Sequence, residues 1–406
     1  MKTSTRFALI FVFLFLLTGC AAQTSSVPIN DRWANVEGSQ LNEPQAGEQF
    51  YFNIPVDDGL IAAGTPLKIK VDGKVTSGWL RFELRRPAGQ AVWNSGQINP
   101  GDFSISTDYA LPGEQTGTYT LGLVYGGNTS ATYNLAWHAL KPGPLVLLPG
   151  LGMLLVVLAF VSYAAWRKIL NWRYLGLGAL FWVLTVAVKF AFAVPVNPLV
   201  FRALGVSEET LFSLGNLIAY LYLGALTGIF EAGLAWLILR KIRWGQATWS
   251  QALVFGIGFG AIEALLLGLA SGGAALAGLF APEALPVFTL GSLANNATLV
   301  MGLAPIVERL SVIFAHILAC VLIFHAIASR EAKWGWLAIL YKTLLDAPAG
   351  FAAFWGANTP EKIWTLEAVI ALFGLIGLWG TIQISKRYLP NERGSDETWH
   401  APDPVG

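Results

Sequence analysis

Charge is what this chain has least of. Only 13% of its 406 residues are Asp, Glu, Lys or Arg, where an ordinary soluble domain has about 25%. The 26 basic and 25 acidic residues leave a formal net charge of +1. With no basic surplus to neutralise phosphates, a nucleic-acid partner is excluded. Histidine is scarce, at four, and cysteine scarcer, at two. Cys20 and Cys320 lie in segments of unlike character, which excludes a disulfide framework. What is abundant is apolar. Hydrophobic residues make up 54%, with 16 Trp and 43 Gly, and the mean hydropathy is +0.55. A soluble enzyme and a disordered chain are both excluded, and an integral membrane protein is what remains.

The apolar residues are not spread evenly. Residues 1–20 read as a targeting segment. Lys2 and Arg6 precede an unbroken apolar run from Phe7 to Leu16, too short for a comfortable transmembrane helix. The segment closes on Leu17-Thr18-Gly19-Cys20, which looks like a bacterial lipobox, with Cys20 as the lipidated first residue of the mature lipoprotein. An ordinary signal peptide or an uncleaved anchor is the plainer alternative. Residues 21–45 are polar and read as a flexible tether.

Residues 46–140 change to period-two patterning. Short alternating runs near 49–54, 67–71, 79–85, 90–93, 103–107, 118–124 and 132–137 predict about seven strands and an extracytoplasmic β-sandwich. Leu80, Phe82 and Leu84 point one way, and Arg81, Glu83 and Arg85 the other. Tyr133, Leu135 and Trp137 share a face. Asp72-Gly73 and Pro87-Ala88-Gly89 are expected as hairpin turns. No cluster of His, Cys or carboxylates interrupts this region, and His138 stands alone at its end. It reads as a binding or spacer module whose partner the sequence does not name.

Residues 141–390 predict an all-α polytopic bundle of about seven transmembrane helices, near 144–166, 174–196, 211–239, 249–270, 303–328, 335–355 and 363–385. Basic residues collect in alternate loops: Arg167, Lys168 and Arg173, then Arg240, Lys241 and Arg243, then Arg330 and Lys333, then Lys386, Arg387 and Arg393. The positive-inside rule places those ends, and the C-terminus, in the cytoplasm of a bacterial cell, with the β-sandwich outside. Residues 391–406 form a polar tail. The Gly- and Ala-rich stretch from Ser271, together with Pro282 to Asn296, suggests a short interfacial or re-entrant helix.

Ionisable groups inside spans are costly and usually face the bundle interior. Here they are Lys189, Glu231, Glu263, Glu308, Arg309, His316, His325, Lys342, Asp346 and Glu367. Counting at about 1.5 Å per residue puts Glu231, Glu263, His316 and Asp346, on four different helices, roughly 12–21 Å above the basic face. Convergent depth is what a buried metal or acid–base site needs. Glu263 follows a glycine-rich face, Phe255-Gly-Ile-Gly-Phe-Gly-Ala-Ile-Glu263, that permits close helix approach. Arg309 and His316, seven apart, share a face. Glu231 is equally readable as half of a structural ion pair with Lys342. Lys342 and Asp346, four apart, can pair on their own helix. Glu367 is expected at the outer interface, and His325 at the opposite one.

These motifs resemble the YhfC-type intramembrane metalloproteases, related to the PrsW and CAAX-protease groups. The resemblance rests on Gly228-Ile229-Phe230-Glu231, on the glycine-rich run ending in Glu263-Ala264-Leu265, on Glu308-Arg309 followed by His316, and on Lys342-Thr343-Leu344-Leu345-Asp346. It covers about 150–385 and not the β-region. It implies a peptidase, a hydrolase of membrane protein or peptide substrates in the lipid bilayer. It also implies a divalent metal, zinc being one choice, held by Glu231, Glu263, His316 and Asp346. Glu231, Glu263 and Arg309 would be catalytic, with a Glu as general base for a metal-polarised water. The sequence departs from the pattern at four places: Ala232 replaces the second Glu of a paired-glutamate motif, the following turn Gly233-Leu234-Ala235-Trp236 lacks the expected Arg, Phe259 replaces a His, and Lys342 another His. An ammonium cannot ligate a metal and repels one. The competing reading is therefore a non-catalytic pseudoprotease, sensor or scaffold on the same fold, with Lys342 neutralising Glu231 or Asp346.

Overall fold

The computed structural model describes residues 33–62, 66–111, 114–139, 143–207, 209–295, 297–356 and 359–395. The signal segment, Cys20 and the tail from 396 lie outside the described residues.

Alternation builds the N-terminal region. Its strands are β1 (Trp33–Glu43), β2 (Gly47–Val56), β3 (Leu67–Ser77), β4 (Leu80–Arg85), β5 (Ala91–Asn94), β6 (Gly101–Tyr109), β7 (Gly117–Tyr125) and β8 (Thr129–His138). They form two four-stranded antiparallel sheets, ordered β1-β8-β3-β6 and β2-β7-β4-β5. The expected inward faces are inward: Leu80, Phe82 and Leu84, with Tyr133, Leu135 and Trp137, are buried in one shared core. All seven expected runs are strands.

Two expectations fail here for local reasons. The tether expected to run to residue 45 is strand from Trp33 onward. A register shift between Val36 and Ser39, with Gly38 in the left-handed region, breaks the alternation of β1 and hides it from a period-two reading. Asp72-Gly73 is no turn, because β3 runs straight through it, paired on both sides. Glu83 points outward as expected, yet it is buried beneath Arg81 (2.5 Å) and Arg85 (2.9 Å).

Polar contacts lock the sandwich edge. Glu114 accepts hydrogen bonds from Arg86, Tyr109 and Tyr119 at 2.6–2.9 Å. These donors, led by Arg86, hold its carboxyl down at about 2. His138, on the strand pairing with Trp33 and Lys68, is buried. Burial holds its imidazole down at about 4.

Among the described residues, seven helices are long and apolar enough to cross a membrane. They are α1 (Pro144–Trp166), α2 (Trp172–Leu204), α3 (Leu214–Leu239), α4 (Trp249–Phe280), α5 (Leu299–Ser329), α6 (Ala332–Trp355) and α7 (Pro360–Tyr388). The protein is a multi-pass membrane protein. The Gly- and Ala-rich stretch expected as a loop prolongs α4 to Phe280, and the short helix Val287–Asn295 follows it. The chain divides into two compact units. One comprises residues 1–146 with 274–298, and the other 147–273 with 299–406. Within the first unit, Gly291 of the short helix lies against the Trp33 ring, so that helix belongs with the sheets.

In the second unit α5 is the hub, with 83% of its apolar window buried. Glycines set its neighbours. A Cβ on Gly256 or Gly260 would stand 2.8 or 3.1 Å from the Cα of Ile317 or Ile313, so α4 lies directly on α5. Glu263, one turn beyond Gly260 on that face, is thereby turned toward α5. On the other side Gly374 and Gly377 bring α7 against Ser311 and Phe314.

Candidate functional site

Five helices, α2 to α6, bring ionisable side chains into the bundle interior. α3 presents Glu231 from an unusual backbone: Gly228–Leu234 is a π-helical segment. The extra residue per turn rotates Glu231 relative to a continuous α-helix, and such segments often mark functional sites. Gly224 and Gly228 seat α3 on α6 beside Thr343 and Ala347, which aims Glu231 at Lys342.

Glu231 Oε1 accepts from Lys189 Nζ at 2.5 Å, and Glu231 Oε2 faces Lys342 Nζ at 3.2 Å. Lys342 is 3% exposed and also lies 3.6 Å from Asp346 on its own helix. Lys189, on α2, reaches Thr227 Oγ1 at 3.4 Å as well. On α4 and α5 a second group forms. Glu263 Oε1 accepts from Arg309 Nη1, whose other nitrogen, Nη2, donates to Glu308. Glu263 Oε2 meets His316 Nε2 at 2.9 Å. His316 is 1% exposed, its Nδ1 has no partner among the described residues, and the Phe259 ring lies 5.1 Å from its own.

Each expected site residue can now be placed. Glu231, Glu263, Arg309 and His316 are gathered in the bundle interior. Asp346 joins only through Lys342 and is about one-third exposed. Cys20, expected to carry a lipid, lies outside the described residues. Glu367, expected at the outer interface, is buried against neighbouring helices. His325 is remote, packed between the Trp334 and Tyr388 rings. Lys189 was among the span charges yet was assigned no role. The same depth count, applied from Trp172, puts it roughly 25 Å along α2, above the level of Glu231, so depth alone did not pair the two.

The arrangement has acid–base partners and buried cations, with Glu231 the most enclosed of its carboxylates. The profile of the YhfC intramembrane metalloproteases matches residues 152–370, more than half of the sequence, and the chain belongs to that family. No curated protein matches the chain.

The family implies a divalent metal such as zinc, so the donor set has to be tested against one. A zinc site needs three or four His, Cys, Asp or Glu donors converging with free lone pairs. Among the described residues no group of three such side chains converges. The reason lies in the partners. Glu231 is held by two ammonium groups, and Glu263 by a guanidinium and an imidazole. Lys342 stands between Glu231 and Asp346. Phe259 fills the space beside His316 with a ring that ligates nothing. In this arrangement the residues do not fit a metal.

Proposed function

We propose that this chain is a non-hydrolytic member of its family, a membrane-embedded pseudoprotease that engages membrane protein or peptide segments as a sensor or scaffold. The observation that carries this is the position of Lys342. Its ammonium neutralises Glu231 and Asp346, two of the carboxylates that the family resemblance would give to a metal. A fixed positive charge at that point both occupies the donors and repels a cation. Ion pairs supply the cohesion of the bundle's polar interior.

The competing reading, metal-dependent peptide-bond hydrolysis, draws support from one feature: the Glu263–His316 pair with its buried, unpartnered Nδ1. In that reading Glu263 serves as base, and Glu231, His316 and Asp346 as ligands once the lysines withdraw. Topology belongs to the same proposal. The C-terminus is cytoplasmic, the β-region is extracytoplasmic in a bacterial envelope, and Cys20 is a lipidation site.

The full chain in proteoliposomes, given zinc and a transmembrane reporter peptide, tests the choice. The expected result is an intact peptide that co-purifies with the chain. Cleavage that both a chelator and Glu263→Gln abolish would overturn it.

A further inference from the structure

Away from the charged interior, α1, α4, α5 and α7 enclose a cavity of about 570 Å³, within the ordinary range for ligand pockets. Its floor is apolar. Phe160 and Phe314 meet edge to face at 5.1 Å, and Leu253 and Ile257 complete it. Its sides are open, since Tyr163, Leu310 and Ile382 are each more than 40% exposed.

The cavity has a direction. Gly256 lies against Ile317 and Gly377 against Phe314, which fixes the relative heights of α4, α5 and α7. On that scale the groove runs from Leu310 to the level of Trp249 and Ser385, about fourteen residues or roughly 21 Å along the helices. One leaflet of a bilayer has about 15 Å of hydrocarbon. With its basic end set at an interface, the groove is long enough to cover the hydrocarbon of one leaflet, the span of a single acyl chain.

Its interfacial end is polar and basic. Ser385 and Tyr163 close it. Arg167 and Lys168 follow α1 one turn beyond Tyr163, and Lys386 and Arg387 follow Ser385 directly. All four are exposed. The indole of Trp166, with Arg167 5.9 Å from its ring, is also exposed there. An apolar slot one leaflet deep beneath exposed cations and an interfacial Trp is complementary to one class of molecule.

We infer that this groove binds an anionic phospholipid, one acyl chain lying on Phe160 and Phe314 and the phosphate set against Arg167, Lys168 and Lys386. The inference is independent of whether the charged interior hydrolyses anything.

The test is native mass spectrometry of the full chain purified from vesicles of equal phosphatidylglycerol and phosphatidylcholine. The wild type retains phosphatidylglycerol at least fivefold over phosphatidylcholine. Arg167→Gln and Lys386→Gln, exposed changes that leave the bundle intact, each lower that preference by roughly fivefold. Ala159→Trp, at an exposed groove position, removes the retained lipid while the thermal midpoint stays at the wild-type value. Equal retention of the two lipids by the wild type overturns the inference. So does undiminished retention by Ala159→Trp, or a polypeptide held there in place of lipid.

Discussion

Replacing Lys342 by Met keeps much of the side chain's volume and removes one charge. Lys342 is 3% exposed, and its partner Glu231 is 5% exposed at the side chain. Removing one member of a buried pair costs about 3–5 kcal/mol, because the other charge is left without compensation. Two features of this site move the expectation to the low end. Glu231 keeps Lys189 at 2.5 Å, and Asp346, about one-third exposed at its side chain, is less enclosed than Glu231. The expected loss is therefore about 3 kcal/mol, roughly a hundredfold in the folded-to-unfolded ratio. Equilibrium unfolding in mixed detergent micelles, followed by tryptophan fluorescence, reads it. Glu231→Gln in the same background removes the stranded charge, so the double variant recovers about 2 kcal/mol relative to the sum of the single changes. A loss under about 1 kcal/mol, or strict additivity, would refute the view that this ammonium neutralises the interior carboxylates.

Other outcomes follow from the same reasoning. Gly256→Leu drives a side chain into Ile317 at the α4–α5 contact; it destabilises by about 1–3 kcal/mol in the same unfolding assay. The Glu114 carboxyl titrates near 2 in the folded chain against an ordinary 4.5, so its stabilisation is complete above pH 4.5 and is lost as pH falls toward 2. Glu114→Gln costs about 2 kcal/mol at neutral pH, read as faster hydrogen exchange in β7, and flattens the acid limb. His138 titrates near 4 in place of 6.5, so folding excludes a proton there. Stability of the β-region is full above pH 6.5 and declines between 6.5 and 4. His138→Phe abolishes that part of the pH dependence of exchange in β8; an unchanged profile would contradict the burial argument.

Much of this organisation is legible in the sequence because each part carries its own period. Seven strands announced themselves through two-residue alternation, and seven helices through length. β1 did not, since its bulge at Gly38 resets the alternation midway. Asp72-Gly73 looked like a turn because local chemistry favours one, and the pairing of β3 with two neighbours overrode it. Depth counting put Glu231, Glu263, His316 and Asp346 on one level, and the structure joins Glu263 to His316, and Glu231 and Asp346 to Lys342. It could not say which cation goes to which carboxylate, because that depends on helix rotation. The π-helical segment at Gly228–Leu234, which turns Glu231 toward Lys189 and Lys342, has no sequence signature of its own. Lys342 was legible as the odd residue, and its partners only in three dimensions.

The central claim is that ion pairs stand where a metal would otherwise be held. The most direct test is the zinc content of the full chain, purified without chelators and measured by elemental mass spectrometry, for the wild type and for Glu231→Gln and His316→Ala. The account predicts far less than one zinc per chain in the wild type, with no change in either variant. One zinc per wild-type chain, lost in both variants, would contradict it.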